Sequence, residues 1–520
     1  MGAAIGALAV QDCLSKTSST IRPVSPWASS RFARLCALAV TSIACVGAGG
    51  ALVASARDRA SAAGTVRSGD WPTWGYDVER SGVGPSDTGI TAANLHTLTR
   101  RTVDVDDVVD AAPIELHAVR VEGRRRDVIV VTTIYGHTIA IDAASGRKLW
   151  EYAPAGIASL DSGPQVTTTT PVADPDRRYV YAASPDGYVQ KLALSSGRPV
   201  WRTGVTFDPT REKLDGALNI AGGSLLVASG GYYGDAPSYQ GHLAELNLAS
   251  GRITHVFNSL CSNIHHLIDP PRTCAASDSA IWGRGGTTVE PDGDILIATA
   301  NGPFDGRTNW GDSVLELSPT LRLLHNWTPV NQAQLDSGDV DLGSTGPALL
   351  PGGHNPKLAV QGGKDGILRV LDLARLDGTP GPAGPRTGGQ LQQIDAPGST
   401  DVFGQPAVWR RGGRTFVFVS DGDGTAAYTL RARRLHPAWS DDAPGTSPVV
   451  AGGLLYVYDM QRGILNVRNP VTGALDAALQ AGPGHWQSPI VVGGRIILAD
   501  GNYMSPGPAN LFIYHLPRAK

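Results

Sequence analysis

Cys261 and Cys274 are the only cysteines beyond residue 45 of this 520-residue chain; Cys13, Cys36 and Cys45 precede them. Close in sequence and flanking a Pro-containing stretch, the two thiols suit a single disulfide. With His265 and His266 beside them, a metal pair is the alternative. No Cys-x-x-Cys-His run occurs, so the chain offers no attachment point for a c-type haem.

The disulfide reading needs an oxidising compartment, and the N-terminus points to one. Leu35–Ala54 is an uncharged apolar run preceded by Arg31 and Arg34 and followed by the small residues Ala54-Ser55-Ala56 and Ala60-Ser61-Ala62. That layout reads as an export signal, and its length, near the ~20 residues that span a bilayer, also suits an uncleaved anchor. Cys45 follows Ser42-Ile43-Ala44, a poor lipidation signal. The division expected is an export signal or anchor with a long extension over 1–62, a linker over 63–70 and a folded part over 71–520, beginning at Trp71. The folded part is expected to be periplasmic, secreted or anchored on the extracytoplasmic side.

Composition limits the fold. Sixty-four glycines and 36 prolines suit many short strands joined by turns, and 42% hydrophobic residues can fill a large core. A formal charge of −3 implies no nucleic-acid surface; the basic runs Arg124–Arg126 and Arg431–Arg434 are short enough to be solvated turns.

A repeated phrase organises the chain. AIDAASGRKLW at 140–150, KLALSSGRPVW at 191–201 and ELNLASGRITH at 245–255 align on Gly146, Gly197 and Gly251, and NVRNPVTGALDAAL is a worn copy around Asn469 and Gly473. Asp or Asn opens a tight turn, Gly closes it with positive φ, and a Trp follows with a wide face to bury. About eight strand-rich units run near 111–152, 168–203, 213–258, 281–329, 341–376, 400–442, 446–482 and 485–517. Most open on a small-residue-Pro-apolar phrase, such as Thr170-Pro171-Val172 or Ser488-Pro489-Ile490, where Pro suits an edge strand. The expected fold is all-β: an eight-bladed propeller of four-stranded antiparallel blades, its ring closed by the N-terminal strand Leu98–Val105 pairing with residues near 510–517. Residues 258–281 and 376–399 break the rhythm; the second stretch reads as a Gly/Pro-rich loop.

The repeat resembles the tryptophan-docking repeat of the pyrroloquinoline quinone (PQQ) propellers, the fold of quinoprotein alcohol dehydrogenases, over residues 71–517. The stretch IWGRGGTTVEPDGDILIATANGPFDGRTNWGDSVLEL at 281–317 is similar to the dehydrogenase segment that carries the quinone floor and a metal ligand. By that resemblance Trp282 would stack on PQQ and Asn301 would ligate calcium. DLGSTGPALL at 341–350 is similar to the stretch opening on the catalytic base, which selects Asp341, also a calcium donor. GGKDGILRVLDL at 362–373 resembles the turn whose cation contacts the quinone oxygens, which selects Lys364. These residue types suit the chemistry: an aromatic floor for a flat quinone, oxygen donors for a hard cation, a carboxylate to take the alcohol proton, and a cation for the negative charge left on the quinone.

The chain departs from the family twice. Where the dehydrogenases place a calcium-binding Glu after Ser-Gly-Ala, this chain has Ser229-Gly230-Gly231-Tyr232, and Tyr232, Tyr233 and Tyr239 suit a differently shaped pocket. No two cysteines are adjacent, so the family's vicinal disulfide is missing. The resemblance implies an oxidoreductase with PQQ and calcium, a small-molecule alcohol or sugar substrate and a separate electron acceptor. The same repeat also builds cofactor-free scaffolds like the barrel-assembly lipoproteins, which implies an envelope protein as partner. A carbohydrate- or polymer-binding propeller is a third reading, suggested by the aromatic residues.

Overall fold

Each repeated phrase is a strand, a turn and a second strand. Asp142 Oδ1 accepts from the amides of Ala144 and Ser145 at 3.1 and 2.8 Å, and Asn247 and Asn469 cap their turns in the same way. The amides of Gly146, Gly197, Gly251 and Gly473 each return to the carbonyl four residues back, with φ between 69° and 77°. Ala193, which lacks the capping oxygen, keeps this backbone bond.

The tryptophan of one repeat lies on the glycine of the next. A Cβ at Gly197 would stand 2.6 Å from the Trp150 ring, and one at Gly251 or Gly473 as close to Trp201 or Trp439. The three indole N–H groups donate to Leu194, Leu248 and Pro470 carbonyls at 2.8, 3.1 and 3.0 Å. Gly thus supplies both the left-handed backbone and the room for the docking ring.

The computed structural model describes residues 66–517 except 162, 233–237, 271, 352–357, 378–385 and 505–508. The export signal or anchor expected over 1–62 lies outside the described residues. Eight four-stranded antiparallel sheets occupy 114–152, 172–204, 219–258, 288–327, 348–395, 407–441, 449–480 and 490–515, numbered here blades 1 to 8. Blade 8 takes its fourth strand from the N-terminal side: Thr99–Asp104 pairs antiparallel with Asn510–His515, Thr99 opposite His515 and Asp104 opposite Asn510. Arg101 and Val103 of that strand lie against Gly146 of blade 1, where a docking Trp would otherwise sit. The expected ring closure is therefore present.

One expectation is corrected. Residues 376–399 are not all loop: Gln392–Asp395 pairs with Ile367–Asp372 as the outer strand of blade 5. Its Gln-Gln-Ile-Asp sequence carries too few apolar residues to announce a strand, because an outermost strand needs only one covered face.

The core lies between blades. One cluster joins Ile114, Val128 and Val130 of blade 1 to Ala173, Val180 and Leu192 of blade 2; another joins Val172 and Tyr181 to Leu225 and Ala244 of blade 3. Strands inside a blade are buried on both faces, as in Leu454–Asp459, while the outer strand Leu475–Gln480 is largely exposed. The first strands of blades 5 to 8 touch one another in turn, which puts them around the axis. Residues 71–84 cross this inner ring, bonding Glu115, Ala173, Val289, Val408 and Val450 of five blades through their backbones. Arg80, fully buried, is the rivet of this segment. Its guanidinium donates to Thr73 Oγ1 and to the carbonyls of Trp74, Ala217, Leu218 and Thr287.

Candidate functional site

The segments leading into the blades carry side chains to the axis in register. Asp110, Thr168, Phe403 and Trp486 each stand three residues before the proline of an inner strand: Pro113, Pro171, Pro406 and Pro489. Fixed φ at each proline and the shared inner-strand geometry give the four equivalent places in blades 1, 2, 6 and 8. A cavity of about 710 Å³ opens among these segments.

Three of the four residues selected by resemblance line it: Trp282, Asp341 and Lys364. Lys364 Nζ lies 2.5 Å from Asp341 Oδ2 and 5.6 Å from the centre of the Trp282 ring. Burial alone would depress the Lys364 ammonium, but Asp341 and Asp339 overcome it and raise its pKa. Asn301 stands behind Asp341, its backbone N–H donating to Asp341 Oδ1 at 3.0 Å. The Asn301 Oδ1 atom is buried without a hydrogen-bond partner. Beneath the same turn, the fully buried Asp312 accepts from the amide of Leu342 at 3.0 Å. Burial first, then the charges of Asp341 and Asp336, push its pKa up to about 8, so it is neutral near pH 7.

The cavity is also lined by residues outside the four selected by resemblance. Lys213 pairs with Asp215 at 2.8 Å, and Asp215 accepts from Thr168 Oγ1 at 3.1 Å. Burial opposes the Lys213 charge, and Asp215 more than offsets it, leaving the pKa raised. Arg284, two residues after Trp282, meets the fully buried Asp110 at 2.8 Å. Burial would push Asp110 up, but Arg284 and His485 hold its carboxyl well below the usual range. Phe403 joins Trp282 to Trp486, with ring centres 5.8 and 4.5 Å away. The signal that would have found Asp110 and Trp486 was the position three before the inner-strand proline.

The turn that departs from the family is closed by tyrosines. Tyr232 lines the cavity and donates its hydroxyl to Pro209 O at 3.1 Å, and the Tyr239 ring fills the space a Cβ at Gly231 would need. Tyr233 lies outside the described residues.

The donor set decides what the cavity suits. For a flat quinone the fit is good: an aromatic floor at Trp282, a cation beside it, and room for a conjugated molecule. For calcium it is incomplete. Asn301 Oδ1 and Asp341 supply oxygens with one negative charge, already countered by Lys364. Among the described residues no group of three or more His, Cys, Asp or Glu is placed to hold a metal. The Cys261 and Cys274 sulfurs are bonded to each other, so neither thiolate is free for the metal pair considered with His265 and His266.

Comparison with known proteins agrees with the repeat. The family described as outer membrane protein assembly factor BamB matches residues 108–294. The quinohemoprotein alcohol dehydrogenase ADH IIB of Pseudomonas putida is 25% identical over 276 residues, 47% of this chain and 38% of that protein. The dehydrogenase subunit of the quinone alcohol dehydrogenase of Komagataeibacter europaeus is 25% identical over 47% of this chain and 33% of its own length. These matches thus span well under half of either relative. Among solved structures, the quinohemoprotein alcohol dehydrogenase of Comamonas testosteroni superposes with a TM-score of 0.66 at 16% identity, covering 89% of this chain and 83% of that one. A europium-containing methanol dehydrogenase gives 0.66 at 14% identity, covering 86% and 98%. BamB of Moraxella catarrhalis gives 0.50 at 12% identity, covering 81% and 99%. At these identities the structures speak to fold alone. Repeat, blade count and ring closure together make this chain an eight-bladed β-propeller, and its repeat is similar to that of the PQQ-repeat proteins.

Proposed function

We propose that the chain is an exported quinoprotein oxidoreductase that binds PQQ over Trp282 and oxidises alcohol groups of small molecules, passing electrons to a separate acceptor. The observation that carries this reading is the Asp341–Lys364 ion pair, with Lys364 Nζ over the Trp282 ring, inside one cavity. A bound quinone would supply the two-electron acceptor that no side chain provides. Asp341 takes the proton of the substrate hydroxyl, with the Lys364 ammonium beside its Oδ2 to favour the carboxylate. Lys364 supplies positive charge where an oxyanion develops. The neutral Asp312 adds no further charge beneath them. No step is assigned to calcium, for which the donors are incomplete. Export is supported by the apolar run at 35–54 and by the disulfide.

The BamB family match over 108–294 favours a second reading, a cofactor-free scaffold that presents its ring face to an envelope protein. Full-length protein titrated with PQQ, in EDTA and separately in calcium, decides between them by quinone absorption and tryptophan fluorescence. Saturable one-to-one binding, weakened at least tenfold in Trp282→Ala and followed by alcohol-dependent dye reduction that Asp341→Asn abolishes, supports the enzyme. Wild-type protein that binds no PQQ under either condition overturns it and leaves the scaffold.

A further inference from the structure

The cavity wall facing blade 8 contains a second acid–base arrangement that the quinone reading does not use. His485 Nδ1 lies 2.8 Å from Asp110 Oδ2. Asp110 is bracketed by Arg284, whose Nη2 donates to Oδ1 and whose Nη1 donates to the Asp110 backbone carbonyl, both at 2.8 Å. Arg284 Nη2 also stands 2.9 Å from His485 Nδ1. A bare Nδ1 could accept from the guanidinium, but it would set its lone pair against the Asp110 carboxylate 2.8 Å away. A proton on Nδ1 instead makes a charge-assisted bond to Asp110, which then accepts from both neighbours. The basic lone pair is thereby left on Nε2, which has no hydrogen-bond partner among the described residues.

The two halves, 375 positions apart in sequence, are latched by one side chain. Gln487 Oε1 accepts from the His485 amide at 2.7 Å, while Nε2 donates to Val109 O at 3.1 Å and Gly501 O at 2.6 Å. Asp110 is fully buried, yet the His485 side chain keeps 12% of its surface exposed and lines the cavity. Burial lowers the His485 pKa, Asp110 offsets part of that, and Arg284 and Lys213 push it down again, so the ring is neutral near pH 7. Tyr503 meets the ring edge-on at 5.4 Å. Beside it, Trp486 and Phe403 form an aromatic wall that continues to Trp282.

We propose that Asp110 and His485 form a proton-accepting dyad through which the cavity binds a flat aromatic ligand bearing an ionisable hydroxyl. The rings of Phe403, Trp486 and Trp282 take the aromatic body. The hydroxyl proton moves to Nε2 and the O–H electron pair stays on oxygen, giving a phenolate and an imidazolium. Asp110 counters the imidazolium, and Lys213 and Arg284 in the same cavity favour the anion. Nothing is oxidised or reduced, and release returns the proton. This site shares the Trp282 ring with the proposed quinone site but does not require PQQ.

The test uses 4-nitrophenol with the full-length protein at pH 6, where the free compound is mostly protonated, and reads the phenolate absorption band. Wild-type protein is expected to bind it with the phenolate band raised, and to bind 4-nitroanisole, which has the ring but no hydroxyl, at least tenfold more weakly. His485→Gln and Asp110→Asn, each checked for native melting, are expected to lose the band. Equal binding of the two compounds, an unchanged band in His485→Gln, or no binding to wild type overturns the proposal. In nitrogen-15 spectra, the ring signals absent from His485→Gln are expected to show a neutral Nδ1–H tautomer; a neutral Nε2–H tautomer overturns it as well. PQQ binding that fails while 4-nitrophenol ionises on the protein removes the quinone reading and leaves this one standing.

Discussion

Trp150 of blade 1 lies across Gly197 of blade 2, its indole N–H bonded to Leu194 O at 2.8 Å, so close that a Cβ on the glycine would come within 2.6 Å of the ring. Gly197 also has φ 69°. Gly197→Ala therefore meets two costs, the left-handed backbone at about 1–2 kcal/mol and overpacking at about 1–3 kcal/mol. We expect a loss of about 2–5 kcal/mol in denaturant unfolding. In a double-mutant cycle, Trp150→Ala should recover part of it, because only the ring contact is shared. Additivity of the two changes would show that the docking is not energetically coupled.

Arg80 should be among the least replaceable residues outside the cavity. Burial lowers its pKa to about 9 although Asp77 opposes the shift, and the protein tolerates this because four carbonyls and a hydroxyl share the charge. Arg80→Met would leave those acceptors buried and unsatisfied, at about 3–5 kcal/mol. Lysine should not rescue it, since one ammonium cannot reach five acceptors spread over three segments. Melting of the two variants checks this; a stable Arg80→Lys protein would contradict it.

The Cys261–Cys274 disulfide closes a short loop just before the Trp282 segment. Cys274→Ser should cost about 3 kcal/mol, the entropy returned to a loop of about that length in the unfolded chain. Hydrogen exchange should rise first in residues 258–281. A variant as stable as the oxidised wild type would mean that blade packing alone holds the loop.

Asp312 makes stability depend on pH in a stated direction. Its folded pKa is raised above the unfolded value, to about 8. Its contribution is fully present below about pH 4 and is lost as pH rises through 8, with a slope approaching 1.4 kcal/mol per pH unit. Asp312→Asn keeps an acceptor for the Leu342 amide and suits the positive φ of 47° at this residue. The variant should match wild type near pH 4 and gain on it steadily toward pH 8. Parallel stability curves across that range would rule out a neutral carboxyl.

Much of the fold was legible in the sequence because its rules are local. The Asp or Asn turn, the positive-φ glycine and the tryptophan recur within eleven residues, and they set the blade boundaries. The unpaired strand at 98–105 called for a partner near the C-terminus. The outer strand at 392–395 stayed hidden because one covered face needs little hydrophobic pattern. Trp282, Asn301, Asp341 and Lys364 were legible only through resemblance, and the structure brings them together without deciding their chemistry.

Tertiary structure decided what no spacing could. Asp110 and His485 meet because ring closure sets blade 8 beside blade 1. Asp215, Arg284 and Phe403, each four residues before the first strand of its blade, face one cavity because equivalent positions of different blades converge on a common axis. A repeat encodes what each blade does for its neighbour. The axis belongs to the whole ring, so the chemistry gathered there depends on contacts between residues hundreds of positions apart.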